Sequence, residues 1–212
     1  MKQRIMVAGL TVLAAGMSFS SAFGAYPNKS NPDWPCQQIL VPHMSPAAMW
    51  TGPSIKGLDK TSDQKIDDLA TRLAQRRLPI EQAKAEVDAF AKAAGSDRKQ
   101  KLTLLFALLF DKLDTERSQV LDGLVRFGHR QTDMAAKIRA ENQKIHEAQD
   151  KYTSPEQAND PSSPVSTAAK QLQWDLRIFQ ERHKTLSYVC EVPVLIEQRL
   201  FALAREIQNN MD

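Results

Sequence analysis

One stretch concentrates the side chains that could do chemistry. Asp33 to Trp50 reads DWPCQQILVPHMSPAAMW and gathers Cys36, His43, Met44, Met49, Trp34 and Trp50. Thioethers and an imidazole are soft donors that suit Cu(I), and an indole face beside them can cover a bound cation. His43, Met44 and Met49 are therefore candidate copper ligands, with Trp50 as the cover. The same residue types have two other uses. Large aromatic and adaptable methionine side chains are good anchors for an irregular segment packed over helices. Aromatics among prolines, as in Trp50-Thr51-Gly52-Pro53, also suit recognition of another protein, which makes Trp34 and Trp50 candidate partner contacts. Farther along, Arg126, His129 and Arg130 fall close together and could hold an anionic group of a partner, or form a solvated basic face.

The copper set resembles in kind, though not in spacing, the ligands of small periplasmic copper chaperones. Those are β-barrels, so the resemblance covers four side chains and implies Cu(I) binding without implying an architecture. Other site chemistry lacks its motif. The four histidines are His43, His129, His146 and His183. None belongs to HExxH and none lies three residues after a glutamate, so zinc-protease and di-iron bundle spacings are missing. There is no GxSxG, no phosphate-cradling glycine loop and no EF-hand loop. The paired acids Asp67-Asp68 and Asp111 with Asp114 read as solvated helix surface, without a second pair at metal-ligand spacing.

The amino terminus sets the compartment that these residues are expected to meet. Lys2 and Arg4 precede an uncharged run from Ile5 to Ala15 and then small residues up to Ala25, the layout of a secretory signal. The run is too short to span a bilayer. Cleavage is expected after Gly24, with Ala22 or Ala25 as alternatives, so residues 1–24 form the signal and the mature chain is expected in the periplasm. Loss of Lys2 and Arg4 lowers the formal net charge from +3 to +1, and neither a nucleic-acid nor an anionic-membrane partner is implied. Cys36 and Cys190 are the two cysteines, and an oxidising compartment makes them a disulfide candidate. Two free thiols or an intermolecular bridge are the alternatives. No CxxC or CxxCH motif supports dithiol redox chemistry or haem attachment.

The elements that must position these groups follow from periodicity. Residues 25–60 hold prolines at 27, 32, 35, 42, 46 and 53, which deny the backbone both helix continuation and ladder donors, so an extended arm with turns is expected. From residue 61 the pattern turns helical. Ser62 or Asp63 can cap a helix carrying Ile66, Leu69, Leu73 and Arg76 on one side. Pro79 opens a second helix with Ala83, Val87, Phe90 and Ala94 on one stripe, and Gly95 stops it. Ser96 or Asp97 then opens a long helix, with a seam of alternating four- and three-residue steps from Leu102 to Ala148. Arg117 and Gln131 are polar members of that seam. Its root, Leu102 to Phe110, is apolar on every side and should be enclosed by the other helices or form an exposed patch. Gly123 and Gly128 are the places where the long helix could break.

A polar loop, residues 153–164, separates it from a returning helix whose seam runs from Val165 through His183 to Cys190, giving a long αα-hairpin over about 97–188. Arg117, Gln131 and His183 should set register and find partners across it. Pro193 is expected to start a last, separate helix with Ile196, Leu200, Leu203 and Ile207 inward. The fold class is thus all-α: an antiparallel helical bundle over residues 61–212 with a long αα-hairpin and an irregular proline-rich N-terminal arm. Such a chain is expected to act as a non-catalytic accessory or scaffold protein for a periplasmic protein partner, with homo-oligomerisation through the hairpin as a further possibility. Cu(I) binding by the arm is the alternative reading, and a catalytic site assembled from distant residues the third. A hairpin offers much lateral surface and little pocket volume, which favours the first.

Overall fold

The computed structural model describes residues 31–61, 63–152, 154–158 and 160–211. The expected signal segment, the first residues of the arm and Ser62 lie outside them. Among the described residues there is no strand. The helices are α1 (Gln64–Ala74), α2 (Ile80–Ala93), α3 (Arg98–Gln149), the single turn α4 (Pro155–Ala158) and α5 (Pro164–Asn209). A 3₁₀ turn at Pro46–Ala48 interrupts the arm.

Local chemistry accounts for most of the boundaries. The Asp63 carboxylate accepts hydrogen bonds from the Lys65 and Ile66 amides and so caps α1, which buries Ile66, Leu69, Ala70 and Leu73. α1 ends at Ala74, so Arg76 lies beyond it, exposed and paired with Glu116 at 3.3 Å rather than on the helix stripe. Pro79 precedes the first residue of α2, which buries Ala83, Val87 and Ala91. Beyond α2, Gly95 has φ = +63°, a conformation that favours glycine, and the chain turns there into α3.

α3 has 52 residues, about 78 Å if straight. It runs through Gly123 and Gly128 without a break, because a propensity cost of about 1 kcal/mol at each is small beside the packing of the seam residues that flank them. Every residue from Leu102 to Phe110 is buried, enclosed as an all-round apolar helix requires. Around this root gather α1, α2, the last turns of α5 and Trp50, in a core that includes Ile66, Leu73, Phe106, Ile196, Leu200 and Leu203.

α5 departs from expectation. Pro193 does not start a helix but lies inside a continuous one of 46 residues. Its ring is buried, and its missing N–H removes one helical hydrogen bond. Tertiary packing outweighs that loss, since Ile196, Leu200, Leu203 and Ile207 beyond the proline are all fully buried. The carbonyl deprived of its donor is that of Val189; the next carbonyl, of Cys190, takes a donor from outside the helix, the Gln38 Nε2 at 2.5 Å.

α3 and α5 pack against each other as the expected αα-hairpin, but burial is uneven along it. Between Gly128 and Ile145 no residue of α3 is buried, and between Val165 and Pro193 the only buried residue of α5 is Asp175. The molecule therefore has a densely packed base and a two-helix stalk whose seam is only half covered. His183 is exposed rather than in that seam, because α3 at this level supplies no second flank to cover it.

Candidate functional site

The arm descends α3 antiparallel to it, from Gly128 at the stalk end to Phe106 in the base. Its prolines leave backbone carbonyls without helical or sheet partners, and polar side chains of α3 supply the donors. The Arg117 guanidinium donates to the carbonyls of Val41 at 2.7 Å and Pro42 at 3.4 Å, and the Ser118 hydroxyl donates to Pro42 at 2.9 Å. The Met44 amide donates to Asp114 at 2.7 Å, while His43 Nδ1 lies 3.0 Å from the other oxygen of the same carboxylate. Lys60 pairs with Asp111 lower down.

Arg117 joins three parts of the structure. Its side chain is 7% exposed, and Nε lies 2.6 Å from Oε1 of Glu197 on α5. The seam arginine thus finds a partner across the hairpin as the spacing predicts, and holds the arm as well. Gln131 does not, for both of its amide atoms are buried without a protein partner among the described residues. In the stalk the crossing contact is instead Lys137 with Asp175, at 2.8 Å. That ammonium, with Gln171 as a second donor at 3.3 Å, holds the Asp175 carboxyl below the usual carboxylate range, against the opposing effect of desolvation. The same contact raises the Lys137 ammonium.

At its upper end the arm is clamped. Cys36 and Cys190 form a disulfide, with their Cα atoms 5.7 Å apart and a sequence separation of 154. Trp34 is buried against Leu121 and Leu124, and its indole donates to the Gln38 carbonyl at 2.6 Å. The arm backbone passes so close to α3 that a Cβ built on Gly128 would lie 1.9 Å from the Asp33 carbonyl oxygen. At the lower end Trp50 stacks on Phe106, with ring centroids 4.1 Å apart and planes 4° from parallel, and its indole donates to Pro53 at 2.7 Å. The Trp50-Thr51-Gly52-Pro53 run is closed on itself, with the indole lying over Gly52.

These positions fix how each candidate residue is used. Trp34 and Trp50 are buried, so their rings hold the arm and are not presented to a partner. Met44 and Met49 pack against the main core, while His43 is 73% exposed. Arg126 and Arg130 are exposed on α3. Their neighbour His129 is engaged, with Nδ1 at 3.1 Å from Asp33 and Nε2 at 3.5 Å from Asp133. Asp114, Ser118, Gln38 and Glu197 are parts of the clamp that sequence reasoning missed, and Gly128, read there as a possible break, is the point where the arm crosses α3. Asp114 and Ser118 lie within one turn of Arg117 and Gln38 two residues from Cys36, whereas Glu197 carried no signal in the sequence.

Beside the disulfide an open groove of about 550 Å³ runs between the arm and α5, lined by Pro35, Cys36, Leu186, Cys190, Val194 and Leu195 among others. Along the outer side of α5 large apolar side chains stand among charged ones, with Tyr188 74%, Leu195 50% and Trp174 58% exposed. No helix among the described residues is long and apolar enough to cross a membrane. No family model matches the sequence, and neither a curated protein nor a solved structure matches it.

Proposed function

We propose that this is an exported helical accessory or scaffold protein, which works in the periplasm through contacts with other proteins. The observation that carries the reading is the contrast between base and stalk. The base encloses a dense core with Trp50, α1 and α2 packed around the root of α3. The stalk projects two helices with almost no buried residue over most of its length. A helix normally buries its apolar stripe against neighbours, and two helices alone cannot cover both flanks of a shared seam. Surface of this kind, with large aromatic side chains exposed on it, is characteristic of interaction sites. The disulfide is compatible with an oxidising compartment, and the amino-terminal charge and hydrophobicity pattern supports export.

The test is affinity capture from a periplasmic extract on the immobilised, disulfide-intact chain, together with the molar mass of the pure protein. Specific retention of a partner, an unlike protein or a further copy, is the expected result. A chain that stays monomeric and retains nothing specific overturns the reading.

A further inference from the structure

We propose that the outer face of α5 is a self-complementary surface by which two copies of this chain pair antiparallel about a two-fold axis beside residues 182 and 183. The inference rests on the interaction reading above and names the partner. Alternating steps of four and three residues from Lys170 to Leu195 trace a stripe on α5 that points away from α3, and every residue on it is exposed. Three of its members are the large apolar side chains Trp174, Tyr188 and Leu195. The stripe is about 38 Å long at 1.5 Å per residue.

Its order of charges selects the occupant. A two-fold contact sets each residue of one copy against its mirror position in the other. Within one copy Glu181 and Lys184 already pair at 2.9 Å; with the axis beside 182 and 183 each also meets the opposite charge of the partner subunit, so that the four side chains alternate in sign around the axis. Moving outward, Arg177 meets Tyr188 of the partner subunit, a cation over an aromatic ring. Trp174 meets Glu191 of the partner subunit, and Lys170 meets Leu195 of the partner subunit, along whose surface a lysine stem can lie with its ammonium in water. None of the four layers sets like charges face to face. A parallel pairing would oppose Lys170, Arg177, Glu181, Lys184 and Glu191 each to its own copy, so that five of the eight layers set like charges together. An axis farther along, at Pro193, would leave Trp174 uncovered.

The test is sedimentation equilibrium of the disulfide-bonded chain over a concentration series up to about 0.5 mM, where even weak association registers. A monomer–dimer equilibrium is expected. Glu181→Lys and Lys184→Glu alone should each weaken it by at least about tenfold, because each places two like-charge contacts at the axis. The double variant E181K/K184E should restore it. Trp174 is the one exposed tryptophan among Trp34, Trp50 and Trp174, so acrylamide quenching of the wild type should fall as the dimer forms. That change should vanish in Trp174→Phe. Circular dichroism of each variant controls for folding. Three outcomes overturn the proposal: a wild type monomeric throughout, a dimer indifferent to the single reversals, or singles not rescued by the double. In the first case a partner captured from extract would leave the interaction reading standing and give the face to an unlike protein.

Discussion

Gly128→Ala isolates the contact between arm and long helix. In an ordinary exposed helix, replacing glycine by alanine stabilises by about 1 kcal/mol. At Gly128 the added Cβ would meet the Asp33 carbonyl oxygen at 1.9 Å, its carbon at 2.9 Å and the Pro35 Cδ at 3.2 Å. Two of those atoms are backbone, so no side-chain rotation relieves the clash. The arm cannot swing away either, because Cys36, three residues from Asp33, is bonded to α5. Relief requires lifting Asp33–Pro35, which draws Trp34 from Leu121 and Leu124 and breaks the contact of Asp33 with His129. Complete loss of a buried tryptophan costs about 3–5 kcal/mol, and a partial withdrawal costs less. After subtracting the helix gain, the net loss should be about 1–3 kcal/mol. Gly123→Ala is the internal control, since its Cβ would meet only the Arg126 Nη2 at 3.9 Å, and it should stabilise by about 0.5–1 kcal/mol. Urea unfolding with the disulfide intact measures both midpoints, provided that the slopes stay equal. If Gly128→Ala proves as stabilising as Gly123→Ala, the arm does not cross α3 there, and the described clamp is wrong.

The other predictions concern covalent, ionic and proton linkage. Replacing Cys36 and Cys190 by serine opens the 154-residue loop and should cost up to about 5 kcal/mol, read as a lower urea midpoint, while the native thiols should resist alkylation unless first reduced. Arg117→Met strands the Val41 carbonyl and Glu197, and should cost about 2–4 kcal/mol, moderated by the exposure of Glu197; a double-mutant cycle with Glu197→Gln should show coupling, and purely additive losses would refute the pair. Because Lys137 holds the Asp175 carboxyl below its usual range, the stabilisation from that pair is complete above the unfolded carboxylate value, about pH 4. It is lost as pH falls through the lower folded value. Asp175→Asn should therefore reduce the acid sensitivity of the urea midpoint, and an unchanged acid limb would contradict the assignment.

Where periodicity and covalent chemistry decide structure, the sequence was legible. The long helix from Asp97 onward, the enclosure of Leu102 to Phe110 and the pairing of Cys36 with Cys190 were readable from spacing and residue type, whereas the seam beyond Gly128 is only half covered. Pro193 was misread because proline reports a local preference, whereas Ile196 and Leu200 belong to a core whose size one helix alone does not reveal. Leu121 lies off the seam yet is buried, since Trp34 of the arm covers a second side of α3. Asp114 shows the same gap: its spacing with Asp111 looks like solvated surface until a proline-rich segment brings a free amide to it. An irregular arm has no period, so its path and the residues it touches are written in no repeat.

The long span of the disulfide also orders events during biogenesis. Synthesis from the amino terminus supplies the arm early, but its covalent partner lies near the far end of the chain, beyond the whole of α3 and most of the stalk. The hairpin must therefore return before the bridge can close. Until then Trp34 and the arm have only non-covalent holds, and Cys36 has no second thiol in its own chain with which to pair.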